Sequence, residues 1–312
     1  MKRRRPRIAV VGSLNVDFTF RIPRIPKPGE TLTATGMEVH PGGKGANQAL
    51  AAARAGAEVC LIGCVGDDVH GIRYGARLKQ EGIETEMLLM VDGPTGSAFI
   101  AVDERGDNSI IVHPGANACL SIEHIDRCAS VLSDADAVLL QLECPLPAVA
   151  HAAALARAAG VRVIVNPSPF AAEAVHALRG ADVWIVNQAE FNGLREARGA
   201  ENYAGEEALL DYLGCKVLVI TKGGDATVLL TTGGKTLHPP PQVAPVDTVG
   251  AGDTFAGAFA VFLSELRPLE ESVRLANIAG ALATLTQGAQ SSIPSRTMIE
   301  HTRAGGFSGV AP

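Results

Sequence analysis

The feature that most constrains this chain is the alternation, through its C-terminal half, of short unbroken apolar runs with segments of helical pattern. Residues 137–142 (Ala-Val-Leu-Leu-Gln-Leu) read as a buried strand, 145–159 as an Ala-rich helix stopped at Gly160, and 161–165 as the next strand. Residues 183–186 and 217–220 continue the strands, and 187–198 and 206–213 the helices. Strands that are apolar throughout need cover on both faces. Intervening helices supply it and impose a parallel sheet. The N-terminal half begins the same way, with strand 7–11, helix 46–55 and strand 59–62. The expected fold class is α/β, a parallel sheet covered on both faces.

Two stretches break this rhythm. Residues 18–40 carry Pro23, Pro26, Pro28 and Gly29, and within 95–113 the segments 97–102 and 109–112 flank Glu104-Arg105-Gly106-Asp107. The second has the form of a β-hairpin. Both are expected to be strands of a small antiparallel sheet inserted beside the main one. No stretch is rich enough in Pro, Gly or Ser to separate independent domains, and no internal repeat is present. Residues 1–312 therefore read as one domain, with 303–312 as a loose tail.

With 27 basic against 33 acidic side chains, the net charge is −6. A general nucleic-acid binder needs a basic face to displace counterions, so that class is excluded. The basic run Lys2, Arg3, Arg4, Arg5, Arg7 is expected to be a solvated tail. A secretion signal would follow it with a long apolar stretch, whereas Ile8-Ala9-Val10-Val11 gives way at once to Gly12-Ser13. No apolar run approaches a membrane span. Cys60, Cys64, Cys119, Cys128, Cys144 and Cys215 are scattered, which suits a reducing, cytoplasmic setting, and the lone Cys60/Cys64 pair has no second pair with which to hold a metal.

In a parallel α/β sheet, ligands bind outside the carboxyl ends of the strands. Here the strand ending at Val11 leads into Asn15 and Asp17, and the one ending at Leu142 is followed by Glu143. Later strands end at Asn166, at Asn187 with Glu190 one turn on, and at Thr221. Any one of these is readily a helix cap. Together they line one end of the sheet with the donors and acceptors that a polyhydroxylated ligand needs.

Gly42-Gly43-Lys44-Gly45-Ala46-Asn47 directly precedes a helix. It reads either as a tight turn with a helix start or as backbone brought close to a ligand. Asp247-Thr248-Val249-Gly250-Ala251-Gly252-Asp253-Thr254 precedes the helical run 255–262. Free N–H groups beside glycines at a helix start form an anion site. Asp253 is then either a first-turn acid, or the acceptor of a proton from an attacking hydroxyl while the amides of 250–252 hold a phosphoryl group. Spacing alone leaves both readings open. The Walker-type G-x-x-x-x-G-K-[ST], a strand-borne G-x-G-x-x-G and the hydrolase G-x-S-x-G are all missing.

At its two glycine segments the chain resembles the ribokinase-like family of carbohydrate kinases. Residues 42–66 are similar to the family's N-terminal signature and 247–259 to its C-terminal one, and the similarity runs from about residue 8 to 294. Gly12-Ser13-Leu14-Asn15-Val16-Asp17, Pro28-Gly29-Glu30-Thr31, Gln141-Leu142-Glu143 and Asn166-Pro167 resemble the ribose-phosphorylating branch. The resemblance implies a three-layer α/β/α core with a mostly parallel sheet and a small β-sheet lid from about 15–41 and 95–113. It also implies a homodimer joined through the lid sheets, and transfer of the ATP γ-phosphate to the 5-hydroxyl of D-ribose.

By the same resemblance, Asn15, Asp17, Gly42, Gly43, Lys44, Asn47, Glu143 and Asp253 match substrate-binding positions. Asp253 matches the catalytic base, and Gly250, Ala251 and Gly252 the anion hole. Asn187, Thr221, Lys222, Gly223, Gly224, Ala226, Gly252 and Asn277 fall where the family holds ATP, and Asn187 with Glu190 where it holds Mg²⁺ and phosphate. Asp247, Val249, Ala283, Thr286, Gly288 and Ser292 match a K⁺ site, several through backbone carbonyls. The chain departs from the pattern at Ser168, where alanine is common, at Lys222, whose role is unassigned, and in its basic N-terminus. Same-fold kinases of deoxyribose, fructose or a nucleoside are the alternatives. A catalytically silent sugar or nucleotide sensor would have lost the base or anion hole, and both are present.

Overall fold

The computed structural model describes residues 4–199, 206 and 208–306. Its strands are β1 Arg7–Val11, β2 Asn15–Arg21, β3 Gly36–Gly42, β4 Glu58–Gly66, β5 Ile83–Glu84, β6 Leu88–Val91 and β7 Gly96–Val102. They continue as β8 Asn108–His113, β9 Ala137–Leu140, β10 Arg162–Val165, β11 Val183–Asn187, β12 Val217–Lys222, β13 Asp225–Thr231 and β14 Gly234–His238. The helices are α1 Lys44–Ala55, α2 Val69–Gln80, α3 Ile122–Arg127, α4 Ala129–Ser133, α5 Leu146–Ala158 and α6 Ala172–Ala177. Then come α7 Gln188–Arg198, α8 Ala208–Leu213, α9 Ala251–Ser264, α10 Leu269–Ala283 and α11 Arg296–His301.

The main sheet runs β14-β13-β12-β11-β10-β9-β1-β4-β5, with β6 also paired to β4. Every pair from β12 to β5 is parallel, and only the β12–β13 and β13–β14 pairs are antiparallel. The period-2 pleat sorts each apolar run between two cores. Ile8, Val10 and Leu139 face a core with Leu50, Phe255, Phe259 and Val273 of α1, α9 and α10. Ala9, Val11, Val138 and Leu140 face the other, with Leu132, Val149, Leu194 and Leu210 from α4, α5, α7 and α8. The result is the expected helix–sheet–helix layering.

The second sheet has the order β3-β2-β7-β8. It is mixed, not antiparallel as expected. The β2–β3 and β7–β8 pairs are antiparallel, but β2 and β7 run parallel, from Asn15 opposite Gly96 to Arg21 opposite Val102. The reason is connectivity. β2 follows β1, and β7 follows β6. β1 and β6 both run parallel to β4, so both excursions leave the main sheet in the same sense.

The expected strand 137–142 ends at Leu140, because the buried Gln141 turns its amide to the site described below. The expected strand 59–62 extends over all of Glu58–Gly66. Lys2 and Arg3 of the basic run, and 307–312 of the expected tail, lie outside the described residues. Arg4, by contrast, is held in a bidentate pair with Asp136 at 3.0 and 2.7 Å. Among the described residues, no helix is long and apolar enough to cross a membrane.

Candidate active site

From β1 the chain first goes to β4 through α1, and only later to β9 on the other side of β1. The carboxyl end of β1 is therefore a topological switch point, where an open α/β sheet has its crevice. The loop 12–14 leaves β1 there, and the N-terminus of α1 is drawn against it. A Cβ on Gly45 would lie 2.4 Å from the backbone of Gly12 and Ser13, so only glycine allows that approach. Gly45→Ala is expected to lower stability by about 3 kcal/mol, the upper range for overpacking. A melting temperature within a degree of wild type would show that the loop yields freely.

Asn47 and Gln48, successive residues of α1, both reach Asp253 in the first turn of α9. Asn47 Nδ2 donates to Asp253 Oδ2 at 2.9 Å, and Gln48 Nε2 donates to Asp253 Oδ1 at 3.0 Å. Gln48 Nε2 also donates to Asn166 Oδ1 at 3.0 Å, and Gln48 Oε1 accepts from Gln141 Nε2 at 2.6 Å. Each oxygen of the carboxylate thus receives one neutral amide, which orients it and leaves lone pairs free for an incoming proton. Asp253 is 7 % exposed.

Among the described residues no side chain caps α9, and its N-cap, Gly250, has φ 77°. That left-handed conformation suits glycine and turns the chain so that the first amides of the helix project from its end. A Cβ on Gly252 would meet nothing within 4 Å, so there is open space beside these amides.

Glu143 braces the glycine loop. Its Oε2 accepts from Ser13 Oγ at 2.5 Å and from the Lys44 N–H at 3.0 Å. Asn117 braces the other side: its Oδ1 accepts from Leu14 N at 2.9 Å, and its Nδ2 donates to Leu14 O at 3.1 Å and Asn15 Oδ1 at 2.8 Å. Burial is the main cause that pushes the Asp17 carboxyl up to about 6. Glu143 and Asp253 act in the same direction, and His40 opposes them. Burial pulls the Lys44 ammonium down, but the carboxylates of Asp253, Glu143 and Glu190 outweigh it and leave it raised. Gly42 and Gly43 complete this group between β3 and α1.

Two cavities open here. One, of about 640 Å³, lies between the small sheet and the loops 245–249 and 287–289, and includes Asp17 and Thr248. The other, of about 380 Å³, is lined by Asn187, Thr221, Gly223, Gly224, Gly252 and Asn277, and again by Thr248. The two therefore meet beside the α9 N-terminus. Lys222 and Ala226 lie outside that lining. Asn277 lines it with its amide already engaged, accepting from Thr227 Oγ1 at 2.7 Å and donating to His238 O at 2.8 Å.

Asn187 and Glu190 form a capping box at α7, with N–H to side-chain bonds of 2.9 Å in both directions. Burial pushes the Glu190 carboxyl up, although the Asn187 N–H, the Ser168 hydroxyl and Lys44 pull it down. Among the described residues no three His, Cys, Asp or Glu side chains cluster to hold a metal. This donor set suits Mg²⁺ that arrives on phosphates and keeps most of its waters. Asp247 ties two loops together, accepting from Val249 N at 3.0 Å and Gly288 N at 2.8 Å. Beside it stand the last carbonyls of α10 at Ala283 and the 286–292 turn. Carbonyl oxygens with one carboxylate are a donor set that fits K⁺.

The sequence profile described as pfkB family carbohydrate kinase matches residues 5–296. The chain belongs to this family. Among the pfkB kinases, a ribokinase of Haemophilus influenzae is 36% identical over 295 residues, covering 94% of this chain and 96% of that protein. The crystal structure of a Thermotoga maritima ribokinase has a TM-score of 0.86 at 36% identity, covering 95% of this chain and 99% of that one. The structure of an Arabidopsis thaliana ribokinase complexed with ribose and ATP has a TM-score of 0.86 at 31% identity, covering 98% and 100%.

Sequence reasoning on this pfkB kinase missed Gln48, Gln141, Asn117, Tyr74 and Gln290 as parts of the site. Gln141 was legible only as part of an apolar strand. Gln48 had a signal, as a second amide beside Asn47 in a helix whose other buried residues over 46–52 are Ala and Leu. The Pro239-Pro240-Pro241 run was likewise a signal for a rigid apolar wall. Pro240 and Pro241 do line the smaller cavity.

Proposed function

We propose that this pfkB-family kinase transfers the γ-phosphate of ATP to the 5-hydroxyl of D-ribose. The observation that carries the mechanism is Asp253, clamped by two amides at the uncapped N-terminus of α9, where the two cavities meet. The ribose assignment is supported by the named relatives and by a relative solved with ribose and ATP.

Sugar enters by the larger cavity, which Asp17 lines, and Asn15, Asn47 and the 42–44 backbone, beyond that lining, join Asp17 in binding its hydroxyls. Glu143 acts by holding the glycine loop. ATP lies in the smaller cavity along Asn187, Thr221, the 223–224 turn and Asn277. Asp253 accepts the proton of the attacking hydroxyl, and the amides of 250–252 stabilise charge on the migrating phosphoryl group. Asn187 and Glu190 would hold Mg²⁺, which would supply charge neutralisation on the phosphates. Asp247, Val249, Ala283, Thr286, Gly288 and Ser292, several through backbone carbonyls, would hold K⁺, which would supply positive charge near the anion hole. The small sheet acts as a lid that excludes water. A cytoplasmic setting is supported by six free cysteines.

The lid sheet also supports a homodimer. Val39, Phe99 and Ile111 are exposed in one cross-strand row over β3, β7 and β8, an apolar face that a second copy would cover. Ile111→Lys is expected to convert a dimer to a monomer in light scattering. A wild-type chain that is monomeric at micromolar concentration would sink this part.

The deciding assay is ATP turnover against D-ribose, 2-deoxyribose, fructose and adenosine with Mg²⁺, with and without K⁺. Ribose is expected to be preferred, with K⁺ stimulation. Preference for another acceptor would overturn the ribose assignment, and no turnover at all would overturn the kinase reading.

A further inference from the structure

Asn47 stands between Asp253 and a second chain of hydrogen bonds. The Tyr74 hydroxyl donates to Gly42 O at 2.5 Å. Gln290 Nε2 donates to Tyr74 Oη at 2.5 Å and to Asn47 Oδ1 at 3.0 Å, and Asn47 Nδ2 donates to Asp253 Oδ2 at 2.9 Å. Tyr74, Gln290 and Asn47 are 4, 2 and 5 % exposed.

Both ends of this chain can only accept, since one is a backbone carbonyl and the other a carboxylate. That sets the direction of every bond. The Tyr74 hydroxyl commits its single proton to Gly42, so its oxygen must receive from Gln290. Gln290 therefore turns its NH₂ inward, and the same NH₂ takes the oxygen of Asn47. Asn47 is left presenting its own NH₂ to Asp253. A reversed Gln290 would set its carbonyl against Asn47 Oδ1. Among the described residues the Gln290 carbonyl finds no partner, so an apolar side chain of the same size would avoid burying an unpaired acceptor. What the glutamine contributes is its two donors.

We propose that Gln290, backed by Tyr74, is a positioning residue that sets the orientation of the Asn47 amide and through it the Asp253 carboxylate. The inference rests on the reading of Asp253 as the base. The backbone that carries Gln290 is anchored independently. Arg54 Nη1 donates to Gln290 O at 3.0 Å and Ile293 O at 2.9 Å, and Arg54 is paired with Glu81 at 2.7 Å. A change of side chain at 290 therefore leaves the course of the segment in place.

Gln290→Met keeps the size and removes both donors. Gln290→Glu keeps the shape but can only accept, which turns the Asn47 amide around. The expected kcat losses are about tenfold for Met, the scale of one hydrogen bond, and about 100-fold for Glu. KM for ATP is expected to stay within about twofold, because the nucleotide cavity is untouched. In an Asp253→Asn background, Gln290→Met is expected to cost no further activity. Tyr74→Phe, which removes one oxygen, is expected to lose several-fold and serves if the 290 variants fold poorly.

A readout independent of turnover is the side-chain NH₂ signal of Asn47 in ¹⁵N NMR, assigned by its loss in Asn47→Asp. It is expected to exchange slowly in the wild type and quickly in Gln290→Met. Wild-type kcat in the 290 variants, additive loss in the double variant, or an unchanged Asn47 signal would each overturn the proposal. If the wild-type chain phosphorylates no acceptor, the functional reading fails by itself and the NMR comparison still decides this one.

Discussion

Asp253→Asn is expected to reduce kcat by about 10³-fold, within the usual range for removing a general base, while ribose and ATP still bind. The substitution is nearly isosteric, and the two clamping amides bound the shape of the site. Asn47 and Gln48 each donate to one carboxylate oxygen. An asparagine amide keeps one acceptor and faces the other donor with its NH₂, so the side chain can neither take the substrate proton nor satisfy both neighbours. KM for ribose is expected to change by only a few-fold, because Asn15, Asp17 and the 42–44 backbone are untouched. Steady-state kinetics with calorimetric titration of ribose would check this. Turnover within tenfold of wild type would remove Asp253 from the role of base. Loss of ribose binding together with turnover would instead make it a binding residue.

The second large effect is expected at Asp17. Asp17→Asn is expected to lower kcat/KM for ribose by about 10- to 100-fold, the range for a charged hydrogen bond to a hydroxyl, while raising the stability of the free enzyme. Both follow from its surroundings, because burial and then Glu143 push this carboxyl up to about 6 in the folded protein. Between the unfolded value near 3.8 and that folded value, the native state binds the extra proton. Stability from this group therefore falls as pH rises through that window, and the deficit is fully present above pH 6. A shift of about two units, discounted for partial exposure, corresponds to roughly 1–2 kcal/mol. The Asn variant should melt higher than wild type at pH 7.5, and the difference should shrink towards pH 4. The wild-type kcat/KM should fall below about pH 6 as Asp17 protonates, and this limb should be absent in the variant. A variant that melts lower than wild type at pH 7.5 would contradict the argument.

Much of this was legible before any coordinates. The runs 161–165, 183–186 and 217–220 lie within strands or one residue beyond them, because an apolar run bounded by turn residues has few other solutions in water. The rule that polar strand ends gather at one edge of a parallel sheet led to Asn15, Asp17, Glu143, Asn166, Asn187 and Thr221 without knowledge of any relative. The parallel β2–β7 pairing was not legible, because pairing sense depends on where each excursion leaves the main sheet, and local sequence carries no record of that. Gln141 was misread for a related reason: a strand pattern does not show which residue turns aside to meet a helix 93 positions away in sequence.

The sequence by itself determined the layered α/β core, the glycine segments and the family. Periodicity, glycine placement and short motifs are all properties of neighbouring residues. Tertiary structure alone decided how Asp253 is held. Its two amides come from residues 206 and 205 positions away, and Gln290, which orients one of them, lies 243 positions from Asn47. The direction of those hydrogen bonds follows from which groups at the ends of the chain can only accept, and that constraint exists only once folding has brought them together.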